Sequence, residues 1–305
     1  MRLFHLLATA GIALGLALPA AAAENDWAKV ADALGKSGTE MPRGVYRVGL
    51  PRTDLHVTLD GVAIKPTLAL GSWLAFQSNG GVTMAMGDLV LTEGEIAPVM
   101  KKLEENGIEI TALHNHLLRA QPATFYMHVL GHGDPAKLAA ALHDGLALSG
   151  TPLGNATAST GSQPPAGRAA QSQALDLDTA MIDRTLGAEG KVVGGVYQVG
   201  IPRAEPIHDD GMEVPAAMGS AEAINFQPTG GGRAAITGDF VLTAKEVNPV
   251  LRALRENGIE VTALHNHMLD DQPRLFFMHF WANDDAAKLA KGLRAALDQV
   301  NVARS

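Results

Sequence analysis

The apolar positions of this chain switch between a period of two and a period near 3.6, and the same succession of switches occurs twice. Trp27 to Leu34 carries apolar residues at helical spacing. Val45 to Leu50 and Leu55 to Ile64 have the β-branched content and turn flanks of strands. Trp73 to Gln77 and Val82 to Leu91 flank Ser78-Asn79-Gly80-Gly81, a reversal that predicts a hairpin. Ile96, Val99, Met100 and Leu103 then form a helical stripe, opened by the capping box Thr92-x-x-Glu95 and stopped by Asn106-Gly107. Pro98 lies inside that stripe and predicts a kink or a later start. A strand from Ile108 to about Leu117 pairs by proximity with Thr124 to Gly131. Asp134-Pro135 opens a last helix with Leu138, Leu142 and Leu146 on one face.

The second half repeats this succession. Gly44-Val45-Tyr46-Arg47-Val48-Gly49-Leu50-Pro51-Arg52 returns as Gly195-Val196-Tyr197-Gln198-Val199-Gly200-Ile201-Pro202-Arg203, an offset of 195 minus 44, or 151. The pattern reads as one domain in two copies, 27–150 and 178–300, joined by a Gly-, Ser-, Thr-, Pro- and Ala-rich linker at 151–177. Each copy predicts an α+β fold, a mainly antiparallel sheet with helices packed on one face, of which ferredoxin-like packing is one version.

Composition narrows the setting. Residues 1–23 join Arg2, an apolar run from Leu6 to Leu18, and Ala20-Ala21-Ala22-Ala23, the layout of a cleavable signal peptide. The expected location is periplasmic or secreted, with no membrane insertion after cleavage. There are no cysteines, so disulfides, thiolate metal sites and a lipid-attachment cysteine are excluded. The formal charge, 24 minus 32, is -8, with no Lys/Arg block, which argues against nucleic acid. A metal ion or small molecule is the expected partner; the sequence names no protein partner.

The candidate chemistry is histidine. Thr111-Ala112-Leu113-His114-Asn115-His116 recurs letter for letter as Thr262-Ala263-Leu264-His265-Asn266-His267, and Met127-His128 recurs as Met278-His279. Strand alternation puts His114 and His116 on one face with Ile108, Ile110 and Ala112, and an adjoining strand can bring His128 to the same place. Such a set forms an open three-histidine site over an apolar floor, with His132, four residues beyond His128, as a possible fourth ligand; copy two has Asn283 at that position and keeps His265, His267 and His279. Imidazole without thiolate points to an exchangeable or catalytic transition metal, zinc or copper first, iron or nickel next. Whether the two patches form separate sites or face each other and share ions is open at this stage. Glu95 and Glu246 are explained by helix capping. Asp88 and Asp239 read as turn or strand-end residues, or as carboxylates that orient a histidine. Met84 and Met86, with Ala235 and Thr237 in copy two, read as packing residues.

Gly-Val-Tyr-x-Val-Gly-x-Pro-Arg, Gly-Asp-x-Val-Leu-Thr, Ala-Leu-His-Asn-His and the Met-His strand together resemble the bacterial exported-protein family typified by the mycobacterial lipoproteins LppY and LpqO. The resemblance runs through nearly all of the mature chain, once per copy. It implies an exported bacterial protein built on a domain of unknown function, and supplies no catalytic residue. Three functions follow from the residues: metal handling, a metal-dependent hydrolase or oxygenase using the open site, and a binding or scaffold module without metal.

Overall fold

The computed structural model describes residues 27–154 and 175–303. The segment read as a signal peptide, and most of the linker, lie outside these residues. The first repeat runs α1 (Trp27–Leu34), β1 (Thr39–Met41), β2 (Val45–Pro51), β3 (Thr58–Leu59), β4 (Val62–Ala63), α2 (Pro66–Ala69), β5 (Gly71–Asn79), β6 (Val82–Leu91), α3 (Glu93–Glu105), β7 (Glu109–His114), β8 (Phe125–Gly133) and α4 (Pro135–Leu146). The second runs α5 (Thr179–Leu186), β9 (Lys191–Val193), β10 (Val196–Pro202), β11 (His208–Asp209), β12 (Met212–Glu213), β13 (Ala221–Gly230), β14 (Arg233–Thr243), α6 (Ala244–Glu256), β15 (Glu260–His265), β16 (Leu275–Asp285) and α7 (Ala286–Leu297).

Each repeat forms a six-stranded antiparallel sheet, β1-β2-β5-β6-β8-β7 in the first and its counterpart β9-β10-β13-β14-β16-β15 in the second. The β6-α3-β7-β8-α4 stretch has the strand order of a split βαβ unit. In a ferredoxin-like sheet the place beside β6 belongs to a strand that follows the last helix; here β5, which precedes β6, fills it.

Local sequence accounts for most of these boundaries. Thr92 and Glu95 close the capping box of α3, with the Thr92 N–H donating to Glu95 Oε2 at 2.7 Å, and Thr243 with Glu246 does the same for α6. The helix α3 starts at Glu93 and runs through Pro98, so the later start does not occur. The single strand read at Leu55 to Ile64 is instead the two-residue hairpin β3-β4. Asp60 and Gly61, with φ of 49° and 82°, supply the positive angles its turn requires.

Alternation along the strands gives each sheet two apolar faces. Leu89 on β6 and Met127 and Val129 on β8 point to the helices, meeting Val99, Leu103 and Leu142. Met86 on β6 and Leu130 on β8 point the other way, to Val241, Met268 and Phe277 of the second repeat. The molecule is therefore four layers, helices, sheet, sheet, helices, with a central apolar seam shared by both repeats. Met84 and Met86 are buried in that seam, in keeping with packing.

An arm from each repeat clasps the other. The β3-β4-α2 arm packs on β13 and β14, and the turn at Ala216–Met218 packs on β2 and β5. Gln227 Nε2 donates to Ala63 O at 2.8 Å, and Gln198 Nε2 donates to Thr67 O at 2.8 Å. The matching bond on the other side runs from Arg47 to Ala217 O. Both strand-to-strand loops carry a cis Gln-Pro bond, and both are anchored to an arm: Gln121 pairs with Thr58, and Gln272 with His208.

Candidate metal centre between the repeats

At the middle of the seam six histidines and two aspartates meet. On β8, His128 lies directly across from Asp88 of β6 on one side and Ala112 of β7 on the other. Small Ala112 leaves space above that row, and His114, one inward position further along β7, stands opposite Tyr126. The second repeat matches: His279 pairs with Asp239 and Ala263, and His265 with Phe277.

Facing sheets bring the two sets into contact. The His114 ring stacks on His265 with centroids 3.5 Å apart, His116 on His279 at 3.6 Å, and His128 on His267 at 3.7 Å. Those pairings are what a pseudo-twofold axis through the His114–His265 pair generates. Tyr126 and Phe277, themselves equivalent, back His116 and His267 at 3.4 and 3.3 Å. Two bonds tie the hexads together: the Thr111 hydroxyl donates to His267 O at 2.5 Å, and Asn266 Nδ2 donates to Thr111 O at 3.1 Å.

Two expectations about this strand are corrected. Ile110 pairs with Val129 and Ala112 with His128, so Thr111 is an extra residue, a β-bulge, and Thr262 is its counterpart. The bulge reverses alternation, sending Ile108 and Ile110 to the helix core while Ala112 and His114 face the other repeat. The floor beneath the histidines is therefore not Ile108 and Ile110; it is carboxylate and the partner repeat's imidazoles. His132 does not join the cluster. It shares β8 with His128, pairs with Met84, and lies about 13 Å along the strand at the usual rise.

The donor set is compact. Ligand atoms of His114, His116 and His279 lie within 4.8 Å of one another, as do those of His114, His128 and His265, of His265, His267 and His279, and of Asp88, His116 and His128. These groups share members, so they describe one centre and not four. Asp88 approaches His116 Nε2 at 3.7 Å and His128 Nε2 at 4.0 Å, and Asp239 approaches His267 Nε2 at 3.5 Å. The turn role read for Asp88 and Asp239 is replaced by a place at the centre. The signal was available: counting back along a β6-β8 antiparallel pair sets Asp88 opposite His128.

Burial sets the electrostatics. It pushes His128 down to about 3 and His279 down to about 4, and the His279 imidazole adds to the effect at His128. His116 and His267 lie well below the ordinary histidine range for the same two reasons. Burial raises Asp88 to about 8, with Arg47 opposing the shift, and holds Asp239 well above its usual value. Neutral imidazole is the ligand form. His279 Nδ1 lies 2.8 Å from Gly238 O, and the backbone of Gly87 bonds His128 in the equivalent way. That bond fixes the ring and leaves Nε2 as the free lone pair, the arrangement found around metal-ligating histidines.

The family described as Domain of Unknown Function (DUF1259) matches residues 28–148 and 180–299. The chain belongs to this family. Each DUF1259 copy holds one complete sheet and one set of centre histidines. No match is found among curated proteins. Among solved structures, a trimeric bacterial microcompartment shell protein, PduB, is similar at 12% identity and a TM-score of 0.22, covering 89% of this chain and 97% of that one. EtuB from Clostridium kluyveri is similar at 7% identity and a TM-score of 0.18, covering 86% and 90%. Likeness at those scores carries no argument about function.

Proposed function

We propose that this DUF1259 protein is exported and holds a transition-metal ion, zinc or copper first, between its two repeats, in a metal-handling role. The observation that carries the reading is a set of buried ligand atoms without hydrogen-bond partners. These are Asp88 Oδ1, His114 Nδ1, His128 Nε2, both ring nitrogens of His265, His267 Nε2, His279 Nε2 and Asp239 Oδ1. Each buried orphan of this kind costs about 1–3 kcal/mol, and a cation at the centre offsets several at once. Imidazole with carboxylate suits zinc, copper, nickel and iron, and the absence of thiolate suits an exchangeable ion. The export part of the reading is supported by the layout of residues 1–23, and among the described residues no helix is long and apolar enough to cross a membrane.

A second reading, a metal-dependent enzyme, is favoured by one observation: a cavity between the sheets reaches Asp88, His116, His267 and His279. A bound ion would supply Lewis acidity there, and Asp88 and Asp239 would be the carboxylates beside it able to take up a proton. Elemental analysis of untagged protein, loaded with zinc or copper and then desalted, tests both readings. Retained metal that is lost in His128→Ala/His279→Ala is the expected result, and no retained metal in the wild type overturns both.

A further inference from the structure

The cavity that reaches the centre measures about 780 Å³, within the several-hundred range typical of small-molecule sites. Two glycines hold it open. Gly49 and Gly200 lie mid-strand in β2 and β10, exposed among buried neighbours, and both line the cavity. Neither has a positive φ, and a Cβ added to either meets nothing within 4 Å. Neither turn geometry nor packing therefore requires glycine here; a side chain would only take up cavity space. Gly49, Trp73, Asp88 and His128 are successive cross-strand partners in one row. The space over Gly49 thus leads along the row to the metal centre.

Arg47, one inward position before Gly49, is the basic group on this wall. Its guanidinium carbon sits 4.0 Å from the centroid of the Trp73 ring, and Nη1 donates to Ala217 O. Asp88 acts on it through space, and among the described residues Arg47 has no ion-pair partner. The second repeat shows what the structural part of this role needs. Gln198 stands at the equivalent place and makes the equivalent bond, to Thr67 O, with a neutral amide. The charge and the remaining N–H groups of Arg47 exceed that need, and they front the cavity. Ala223 replaces Trp73 in the second repeat, so the guanidinium-on-indole pair exists on one side only. A planar guanidinium fixed on an aromatic face presents paired donors that match a carboxylate. Lys191, exposed at the rim, adds a second positive charge along the entry.

We infer that this cavity is a binding pocket for a small organic carboxylate, gripped by Arg47 over Trp73 and reaching the histidine–aspartate centre with its far end. The inference rests on the metal reading, because a bound cation is what lets the inner end, walled by Asp88 and Asp239, accept a second polar or anionic group.

Calorimetric titration of the zinc-loaded full chain with succinate tests it, with zinc content measured on the same samples. The wild type should bind saturably. Arg47→Gln, which installs the second repeat's own solution and keeps the arm bond, should bind about tenfold or more weakly. Gly49→Val, which fills the cavity with a residue suited to a strand, should weaken binding as much. Both variants should keep wild-type zinc content and melting temperature. Succinate binding that is absent in the zinc-loaded wild type, or equal in the wild type and Arg47→Gln, overturns the pocket and leaves the metal reading standing. A wild type that takes up no zinc overturns the metal reading itself. Should valine disturb β2, Arg47→Gln alone still decides.

Discussion

The two repeats present the same three histidines and one aspartate to the seam, yet surround them differently. Tyr126, Trp73 and Arg47 on one side answer to Phe277, Ala223 and Gln198 on the other. A further difference lies under the matched strand-exit arginines. Arg52 and Arg203 are both buried and both reach the capping glutamate, but the N–H of Val90 is taken by Ser72 whereas that of Val241 is taken by Glu222, a fully buried carboxyl. The groups both repeats must supply to one shared centre are identical, and several of the groups that each uses alone have diverged. A duplicated chain that builds one site across its own pseudo-axis is free to specialise everything outside that axis.

The largest expected effect tests the sharing. Because two of the four candidate ligand groups combine histidines from both halves and share members with the other two, His114→Ala/His116→Ala should remove all bound metal, as should His265→Ala/His267→Ala. Elemental analysis retaining about half the metal in either variant would mean two independent sites and would break the comparison. The next effect sharpens it. Arg203 contacts Glu246 at 2.9 Å and Glu205 at 2.5 Å and lies 4.0 Å from Glu222, whereas the carboxylates beside Arg52 among the described residues are Asp54 and Glu95, each at 2.8 Å. Removing one member of a buried ion pair costs about 3–5 kcal/mol. Arg203→Met should reach that range in urea unfolding because it strands a carboxyl with no path to water. Arg52→Met should cost less, since Asp54 keeps access to solvent. Changing Glu222 to Ser in the Arg203→Met background should recover part of the loss. Equal losses for the two arginines would instead mean that Glu222 sits there as a neutral acid, indifferent to Arg203; burial already pushes its carboxyl well above the usual range.

Much of this framework was legible from residues. Thr92 with Glu95, Asp134 with Pro135, and Gly80-Gly81 mark boundaries through local backbone chemistry, and local chemistry is what a sequence records directly. The repeated hexad located the centre. The face on which it stands is hidden, because the bulge at Thr111 adds one residue to the backbone count and leaves the apolar pattern of Ile108, Ile110 and Ala112 unchanged. A separation of four predicts that His132 shares a face with His128, but a strand carries the two far apart along its length. The partnership between halves was hidden for a different reason. Periodicity says which side of an element is apolar, and both sides of β6 and β8 are; nothing local says that one of them meets a second sheet.

The smallest expected effect concerns the turn of each arm and the loop it packs on, where the first repeat has Leu59, Asp60, Arg119 and Ala120 and the second has Asp209, Asp210, Asp270 and Asp271. In the first, Leu59 is buried in the seam and Arg119 bridges Asp60 at 3.0 Å and Glu260 at 2.8 Å. In the second, Asp209 is equally buried, at 1% exposure, with no side-chain donor on its carboxylate and only the backbone of Asp270 near enough to favour the charge. Burial, and then the charges of Asp271, Asp270 and Asp210, raise its pKa above the usual aspartate value. An acid raised in the folded state binds more protons folded than unfolded. Its contribution to stability is therefore most favourable at low pH and is lost as pH climbs from the unfolded value, about 3.9, through the folded one. Asp209→Leu, the first repeat's own residue, removes both the buried, under-satisfied carboxylate and this pH dependence. It should stabilise the protein by about 1–3 kcal/mol at pH 7 and by much less at pH 4, measured as urea unfolding at the two pH values. Destabilisation at pH 7 would show that the second repeat satisfies Asp209 with a cation from solution. Repeating the wild-type measurement with a chelator would then reproduce the loss without any substitution.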